Sequence, residues 1–176
     1  DDAAGSDGAG GSADGADVVA TAAVDPVARQ VDTFGFSLAS LDLRDHRENH
    51  TEAVATVFEG VGVDYYSMDE STRVETLTDA ILQSESVIDI GEYDSFEGTT
   101  ERVLHRFDAL ADWQREYGAD AIDTYCISMT ETPSHVLEVL FLADQAGVVD
   151  LPGHCGIDVV PLLETESALS GARRIM

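Results

Sequence analysis

Hydrophobic and polar positions along the chain follow two periods, one typical of strands and one typical of helices. Short, nearly continuous apolar runs predict three strands, at 36–44, 122–129 and 157–163. Between these runs, apolar residues recur every three to four positions, which predicts amphipathic helices. Strands that alternate with helices form βαβ units, so the pattern predicts an α/β fold built on a parallel sheet.

The predicted helices are bounded by residues that start or stop helices. Asp25-Pro26 starts the first helix and Gly35 ends it. Ser67 and Glu70 have the spacing of a capping box, which predicts the start of another helix. Further helices are predicted at about 48–59, 99–117 and 132–146 and after residue 165, whereas 84–97 shows no regular pattern.

The first 24 residues consist almost entirely of Asp, Ala, Gly and Ser. Such a segment buries little apolar surface, so we expect a disordered acidic linker or insertion over 1–24. The folded part is then predicted at 25–176. A closed eight-stranded barrel needs roughly 250 residues, so the three predicted βα units would form only part of one.

The charge balance narrows the possible partners and the environment. Asp and Glu number 35 against 9 basic residues, all Arg, which gives a net charge of −26. Phosphate-rich partners are bound by Lys and Arg, so we expect neither a nucleic-acid nor an anionic-membrane surface. Acidity spread through every predicted helix favours a salt-rich cytoplasm, as in halophiles, where charge repulsion is screened. An acidic interaction module is the alternative.

The sequence contains no apolar run of transmembrane length and no basic-then-apolar leader pattern, so we expect a soluble, cytoplasmic protein. The two cysteines, Cys126 and Cys155, lie too far apart for a C-x-x-C motif, and we expect reduced thiols. Cys126 belongs to an apolar run and is predicted in the core.

Glu164 is the first candidate for chemistry, because it follows the apolar run 157–163 directly. The carboxyl ends of parallel strands are where ligands bind in α/β folds. An acidic residue in the first turn of a following helix is also favoured for electrostatic reasons alone. Both interpretations are compatible with the spacing.

Arg44 and Asp42 are the second candidates. They end the apolar run 36–44 and, two residues apart on a strand, lie on one face. Asp42 could therefore orient the Arg44 guanidinium, or the two could form a surface ion pair of small energetic value. His46 and His50 have the i, i+4 spacing of helical metal ligands, but no third ligand is evident.

Several blocks of the sequence resemble phosphoenolpyruvate carboxylases, in the order in which that family has them. Residues 29–54 contain Leu-Asp-x-Arg followed by His-x-Glu-Ala, residues 127–139 are similar to ISM-x-x-x-PSDVLEV, and 159–165 (VVPLLET) closely resembles VVPLFET. With 60–77, the similarity extends over most of the chain from residue 26. The departures include Asp45 for a common Gln, His135 for Asp and Leu163 for Phe.

The resemblance implies an (α/β)₈ TIM-type barrel with extra helices, which carboxylates phosphoenolpyruvate with bicarbonate to give oxaloacetate and phosphate. It implies Mg²⁺ or Mn²⁺ as cofactor, with Glu164 as a metal ligand and Arg44 as a contact of the substrate phosphate. Asp42 would support Arg44. The family's Thr-Ala-His-Pro-Thr-like and Gly-Arg-Gly-Gly motifs are absent from these 176 residues, so no catalytic residue is predicted here and the isolated chain is expected to be inactive.

The resemblance also implies a complete enzyme that is a homo-oligomer, to which this chain contributes an internal part. Two other classes of protein stay open. Another metal-dependent pyruvate or phosphoenolpyruvate barrel would also place a metal-binding Glu at a strand end, but would not share the other blocks. A non-enzymatic acidic interaction module would bury its apolar strands within this chain.

Overall fold

The computed structural model describes residues 20–35, 39–83 and 85–176, which belong to two compact units, Asp1–Ala39 and Ser40–Met176. In the first unit, a π-helical turn, Ala20–Val24, leads into helix α1, Asp25–Phe34. The helical segment therefore begins five residues before the predicted start, because alanine-rich sequence readily continues a helix. The predicted disorder of residues 1–19 lies outside the described residues.

The second unit contains the remaining elements. They are β1 (Asp42–His46), α2 (Arg47–Gly60), α3 (Glu70–Leu82), α4 (Gly98–Tyr117), β2 (Thr124–Ser128), α5 (Ser134–Gln145), β3 (Val149–Asp150), β4 (His154–Cys155), β5 (Asp158–Pro161), α6 (Glu166–Ser170) and α7 (Ala172–Ile175). Short 3₁₀ turns lie at Tyr65–Ser67, Ile90–Ser95 and Ala119–Ala121. The segment predicted to be irregular, 84–97, thus includes one 3₁₀ turn.

Three strands form a parallel sheet in the order β1-β2-β5, while β3 and β4 form a small antiparallel pair. This confirms the predicted α/β fold with a parallel sheet. Strand β1 is shorter than predicted and later in the chain. The Leu41 N–H donates to the carbonyl of Ala121, in a 3₁₀ turn, over 2.9 Å, so the chain joins the sheet only from Asp42. Residues 36–38 of that prediction lie outside the described residues.

The two faces of the sheet differ in burial. Tyr125 and Ile127 of β2 are fully buried on the face that is covered by helices. On the other face, Arg44, Cys126 and Val160 lie side by side and are partly or largely exposed. Cys126, predicted in the core, is therefore only half-buried, and both cysteines are free thiols. No helix of the described residues has both the length and the apolar character needed to cross a bilayer.

The predicted capping box at Ser67 is wrong. Asp69 caps α3 instead, its carboxylate accepting from the Thr72 N–H over 2.9 Å, while Ser67 belongs to the preceding 3₁₀ turn. The Glu70 side chain is therefore not used in capping and can bind a residue of another helix. Its two carboxylate oxygens accept from the N–H and the hydroxyl of Ser134, at 2.9 and 2.8 Å, and so join α3 to the start of α5.

Candidate functional site

The carboxyl ends of the three parallel strands meet at one edge of the sheet. In register, His46 lies beside Ser128, and Ile127 lies between Asp45 and Pro161. Beyond these ends the chains turn towards the helices that follow. Ligands of parallel α/β folds bind at this edge, so these ends define the candidate site.

Arg44 and Glu164 come together at this edge. The Arg44 Nη2 donates to the Glu164 Oε1 over 3.1 Å, although 120 residues separate the two in sequence. Both side chains are accessible, with 62% and 36% exposed. Asp42 is the residue predicted to orient Arg44, but in the described part of the chain Asp42 forms no ion pair with Arg44. The guanidinium has Glu164 as its carboxylate partner instead.

The position of Glu164 follows from the path of the chain after β5. The Leu162 N–H donates to the Ile127 carbonyl over 2.9 Å, and the Leu162 carbonyl accepts from the Thr130 N–H over 3.2 Å. These bonds extend the sheet pairing past Pro161. Thr165 then caps α6, its hydroxyl accepting from the Ala168 N–H over 3.1 Å. Glu164 therefore precedes the cap, and the acidic residue of the first helical turn is Glu166.

A carboxylate at this position is chemically suited to a hard divalent cation, which prefers oxygen ligands. The described residues, however, contain no group of three or more His, Cys, Asp or Glu side chains close enough to hold a metal ion. A metal ion held by Glu164 would therefore need further ligands from outside the described residues.

The neighbour of Arg44 on β1, Asp45, faces the opposite side of the sheet and is nearly buried. It forms an ion pair with Arg106 of α4 and accepts from the Asn49 amide over 2.6 Å. The same carboxylate also accepts from the backbone N–H of His46, the last residue of β1, over 2.7 Å. Burial is the largest single influence and would raise the pKa of Asp45, but the hydrogen bonds from Arg106, His46 and Asn49 and the Arg106 charge together outweigh it and hold the pKa below its usual value.

The structure does not support His46 and His50 as a metal-binding pair. His46 ends β1 and caps α2, its Nδ1 accepting from the Glu48 N–H over 3.2 Å. His50 is fully buried inside α2, and its Nε2 lies 2.9 Å from the Tyr125 hydroxyl. Burial lowers the pKa of His50 to about 4, so its imidazole is neutral at ordinary pH.

Strained backbone follows directly after β2. Met129 has a φ of 60°, in the left-handed region that residues other than glycine rarely adopt. The next residue, Thr130, is fully buried, and its hydroxyl donates to the Ile127 carbonyl over 3.0 Å. Strain of this kind is held by the surrounding structure and is frequent at functional sites. It lies at the same edge as Arg44 and Glu164, and no sequence signal pointed to it.

A second buried carboxylate, which sequence analysis missed, lies between the helices. Glu138 of α5 has no exposed surface, and its two oxygens accept from the Thr51 hydroxyl at 2.8 Å and the Tyr65 hydroxyl at 2.9 Å. Burial raises its pKa to about 7, although these hydrogen bonds act in the opposite direction. Its position in the middle of the apolar run 136–143 was the available signal.

Comparisons with family models and with curated proteins all point to the same family. The family model described as phosphoenolpyruvate carboxylase matches residues 12–176. A phosphoenolpyruvate carboxylase of Synechococcus sp. (strain WH7803) is 36% identical over 156 residues, which cover 87% of this chain and 15% of that protein. One from Bradyrhizobium diazoefficiens is 32% identical over 150 residues, 84% of this chain and 16% of that protein.

A phosphoenolpyruvate carboxylase of Nitrosomonas europaea is 31% identical over 165 residues, which cover 91% of this chain and 18% of that protein. The chain thus spans 15 to 18% of the length of these three curated relatives. The family model covers almost the whole chain, and the relatives agree with it. The chain belongs to the phosphoenolpyruvate carboxylase family.

Proposed function

We propose that this chain supplies part of the active site of an enzyme that carboxylates phosphoenolpyruvate with bicarbonate, releasing oxaloacetate and phosphate. The observation that carries the proposal is the meeting of Arg44 and Glu164 at the carboxyl edge of the parallel sheet, 3.1 Å apart and accessible to solvent. Family membership supplies the reaction. The two side chains supply binding groups that the reaction needs. Arg44 would bind an anion, the phosphate, and Glu164 would bind a cation, the divalent metal.

Arg44 would contact the phosphate of the substrate. A guanidinium is planar and always charged, and it presents paired N–H donors that match two phosphate oxygens. With 62% of its side chain exposed, Arg44 is open to a ligand at the edge of the sheet. Phosphate binding would replace the Glu164 carboxylate as the partner of the guanidinium.

Glu164 would be one ligand of Mg²⁺ or Mn²⁺, because carboxylate oxygens suit hard divalent ions. When bound, such an ion stabilises negative charge on the enolate as a Lewis acid. What this chain contributes is the carboxylate, held outside the helix by the Thr165 cap and by the extended pairing after β5. The remaining ligands would come from the rest of the protein.

The sheet would continue into an (α/β)₈ barrel. Parallel sheets are almost always covered on both faces, whereas the face that carries Arg44, Cys126 and Val160 is partly exposed in the described residues. An acidic interaction module that buries its own strands would not leave this face open. In a barrel the same face points inwards and is filled by side chains of the other strands.

The proposed setting is a salt-rich cytoplasm and a homo-oligomeric complete enzyme, with the rest of the polypeptide as the main partner. The excess of 35 acidic over 9 basic residues supports the salt-rich environment. The same charge disfavours nucleic acids and anionic membranes as partners.

The complete protein containing this chain tests the function. Oxaloacetate formation would be followed by coupled reduction, with phosphoenolpyruvate, bicarbonate and Mg²⁺ or Mn²⁺, each omitted in turn. We expect activity that requires all three, and none from the 176-residue polypeptide alone. Activity without bicarbonate would indicate a different phosphoenolpyruvate enzyme, and activity of the polypeptide alone would contradict its role as a partial site.

A further inference from the structure

The end of strand β1 is fixed from the side of the sheet opposite to Arg44. Asp45 directly follows Arg44, and consecutive strand residues point to opposite faces. Accordingly 62% of the Arg44 side chain is exposed, but only 12% of the Asp45 side chain. Consecutive Cα atoms lie about 3.8 Å apart, so any shift of the backbone at Asp45 also moves Arg44.

Asp45 is bound by three other elements. Its carboxylate pairs with Arg106 of α4 and accepts from Asn49 of α2 over 2.6 Å. Its backbone carbonyl accepts from the Ser128 hydroxyl, at the end of β2, over 3.2 Å. These contacts restrain β1 in a way that backbone pairing alone does not, because in the described residues β1 pairs only with β2.

Arg106 is itself mostly buried, on a helix that packs against the sheet. Only 23% of its side chain is exposed, and it lies on α4 beside Phe107, whose ring stacks on that of Tyr125 at 5.2 Å. Tyr125 belongs to β2 and precedes Cys126, the register neighbour of Arg44. A guanidinium in such surroundings provides a fixed anchor for the carboxylate, because both charged groups would be costly to leave unpaired.

We propose that the Asp45–Arg106 ion pair positions the Arg44 guanidinium for the substrate phosphate by fixing the end of β1. The inference rests on the proposed function, in which Arg44 contacts that phosphate. Asp45 and Arg106 are positioning residues, since neither side chain lies on the Arg44 face of the sheet. Loss of the pair should therefore weaken phosphoenolpyruvate binding selectively.

The test uses the complete enzyme with Asp45→Asn, Arg106→Gln and the double variant Asp45→Asn/Arg106→Gln. The double variant removes both charges of the pair, so neither group is left charged without its partner, and folding is preserved better than in either single variant. We expect it to raise KM for phosphoenolpyruvate by about threefold to tenfold, with KM for bicarbonate unchanged within about twofold. Asp112→Asn/Arg115→Gln removes an exposed ion pair of the same helix as control and should leave both KM values unchanged.

A purely structural role predicts a lower thermal midpoint and less active protein, without a selective change in KM for phosphoenolpyruvate. An unchanged KM in the double variant overturns the inference. The Arg44→Lys background separates this outcome from failure of the proposed function. If Arg44→Lys raises KM, the double variant should add little in that background. If Arg44→Lys leaves KM unchanged, the phosphate role of Arg44 is wrong and the inference falls with it.

Discussion

The Arg44 guanidinium and the Glu164 carboxylate, 3.1 Å apart, form an ion pair at the edge of the sheet where the parallel strands end. If Arg44 binds phosphate and Glu164 binds a divalent cation, both ligands must separate this pair. An accessible ion pair is worth about 1 kcal/mol or less, so the pair is easily separated. It nevertheless makes the two binding events depend on each other.

Removing the Arg44 charge should therefore strengthen metal binding. In the complete enzyme without substrate, we expect Arg44→Gln to tighten Mn²⁺ binding by about twofold to fivefold. In this variant the Glu164 carboxylate can bind Mn²⁺ without first giving up its ion pair with the Arg44 guanidinium. Calorimetric titration or the electron paramagnetic resonance signal of free Mn²⁺ measures the affinity. Arg115→Gln, which removes an exposed guanidinium elsewhere, is the control. Equal or weaker Mn²⁺ binding in Arg44→Gln would contradict the account.

Arg44→Lys should raise KM for phosphoenolpyruvate, because an ammonium is a point charge without the paired donors that match phosphate oxygens. We expect an increase of about tenfold or more, measured by steady-state kinetics at saturating bicarbonate. Asp42→Ala provides a comparison on the same face of β1, since Asp42 makes no ion pair with Arg44 among the described residues. Its effect should be smaller. An equal effect would restore Asp42 as the residue that orients Arg44.

The buried carboxylate of Glu138 should make stability depend on pH. Its pKa is raised from 4.5 to about 7 by burial, so between these values the folded protein keeps a proton that the unfolded chain releases. Stability therefore falls as pH rises through this range, and the whole penalty is present above pH 7. Glu138→Gln removes the titrating group. The free energy of unfolding of this variant minus that of wild type should therefore increase as the pH rises through this range, by a total on the order of 3 kcal/mol.

Thermal midpoints of the complete wild-type and variant enzymes, measured from pH 5 to pH 8, test this prediction. Glu101→Gln, an exposed substitution on α4, is the matched control. Hydrogen bonds lost by the amide shift the Glu138→Gln curve by the same amount at every pH, so the slope of the difference reports the titration. Parallel curves for wild type and Glu138→Gln would show that this carboxylate does not titrate in the range.

Salt should stabilise the protein. With a net charge of −26 and no lysine, like charges repel across the folded surface. The screening length falls from about 10 Å at 0.1 M salt to about 3 Å at 1 M. We expect the thermal midpoint of the complete enzyme to rise from dilute buffer to molar KCl, and equally in NaCl, because screening depends on ionic strength. A constant or falling midpoint would remove the argument for a salt-rich environment.

The sequence was sufficient for the features that depend on local periodicity and on motifs. The parallel sheet expected of βαβ units, the helix after Pro133 and the position of Glu164 shortly after a strand all follow from residues close together in the chain. The predicted strand-end position of Arg44 is wrong, because β1 runs from Asp42 to His46 and Arg44 lies in its middle. The resemblance at 159–165 also pointed to the family that the comparisons show.

Long-range side-chain pairing could not be predicted in the same way. Asp45 and Arg106 are 61 residues apart and Thr51 and Glu138 are 87 apart, and periodicity carries no information on such pairs. Competition between nearby polar groups was the other difficulty. Asp69 displaced Ser67 as the cap of α3 because its carboxylate reaches the Thr72 N–H. Charged residues within apolar faces, as at Arg106 and Glu138, were the one available signal.

Mn²⁺ binding by the complete enzyme with Glu164→Gln tests the central claim most directly. The amide keeps the size and one oxygen of the side chain but lacks the charge that a hard cation needs. Glu166→Gln, two residues later and in the first turn of α6, is the matched control. The account predicts that Glu164→Gln weakens Mn²⁺ binding at least about tenfold with an unchanged thermal midpoint, while Glu166→Gln binds as wild type. Wild-type Mn²⁺ affinity in Glu164→Gln would contradict it.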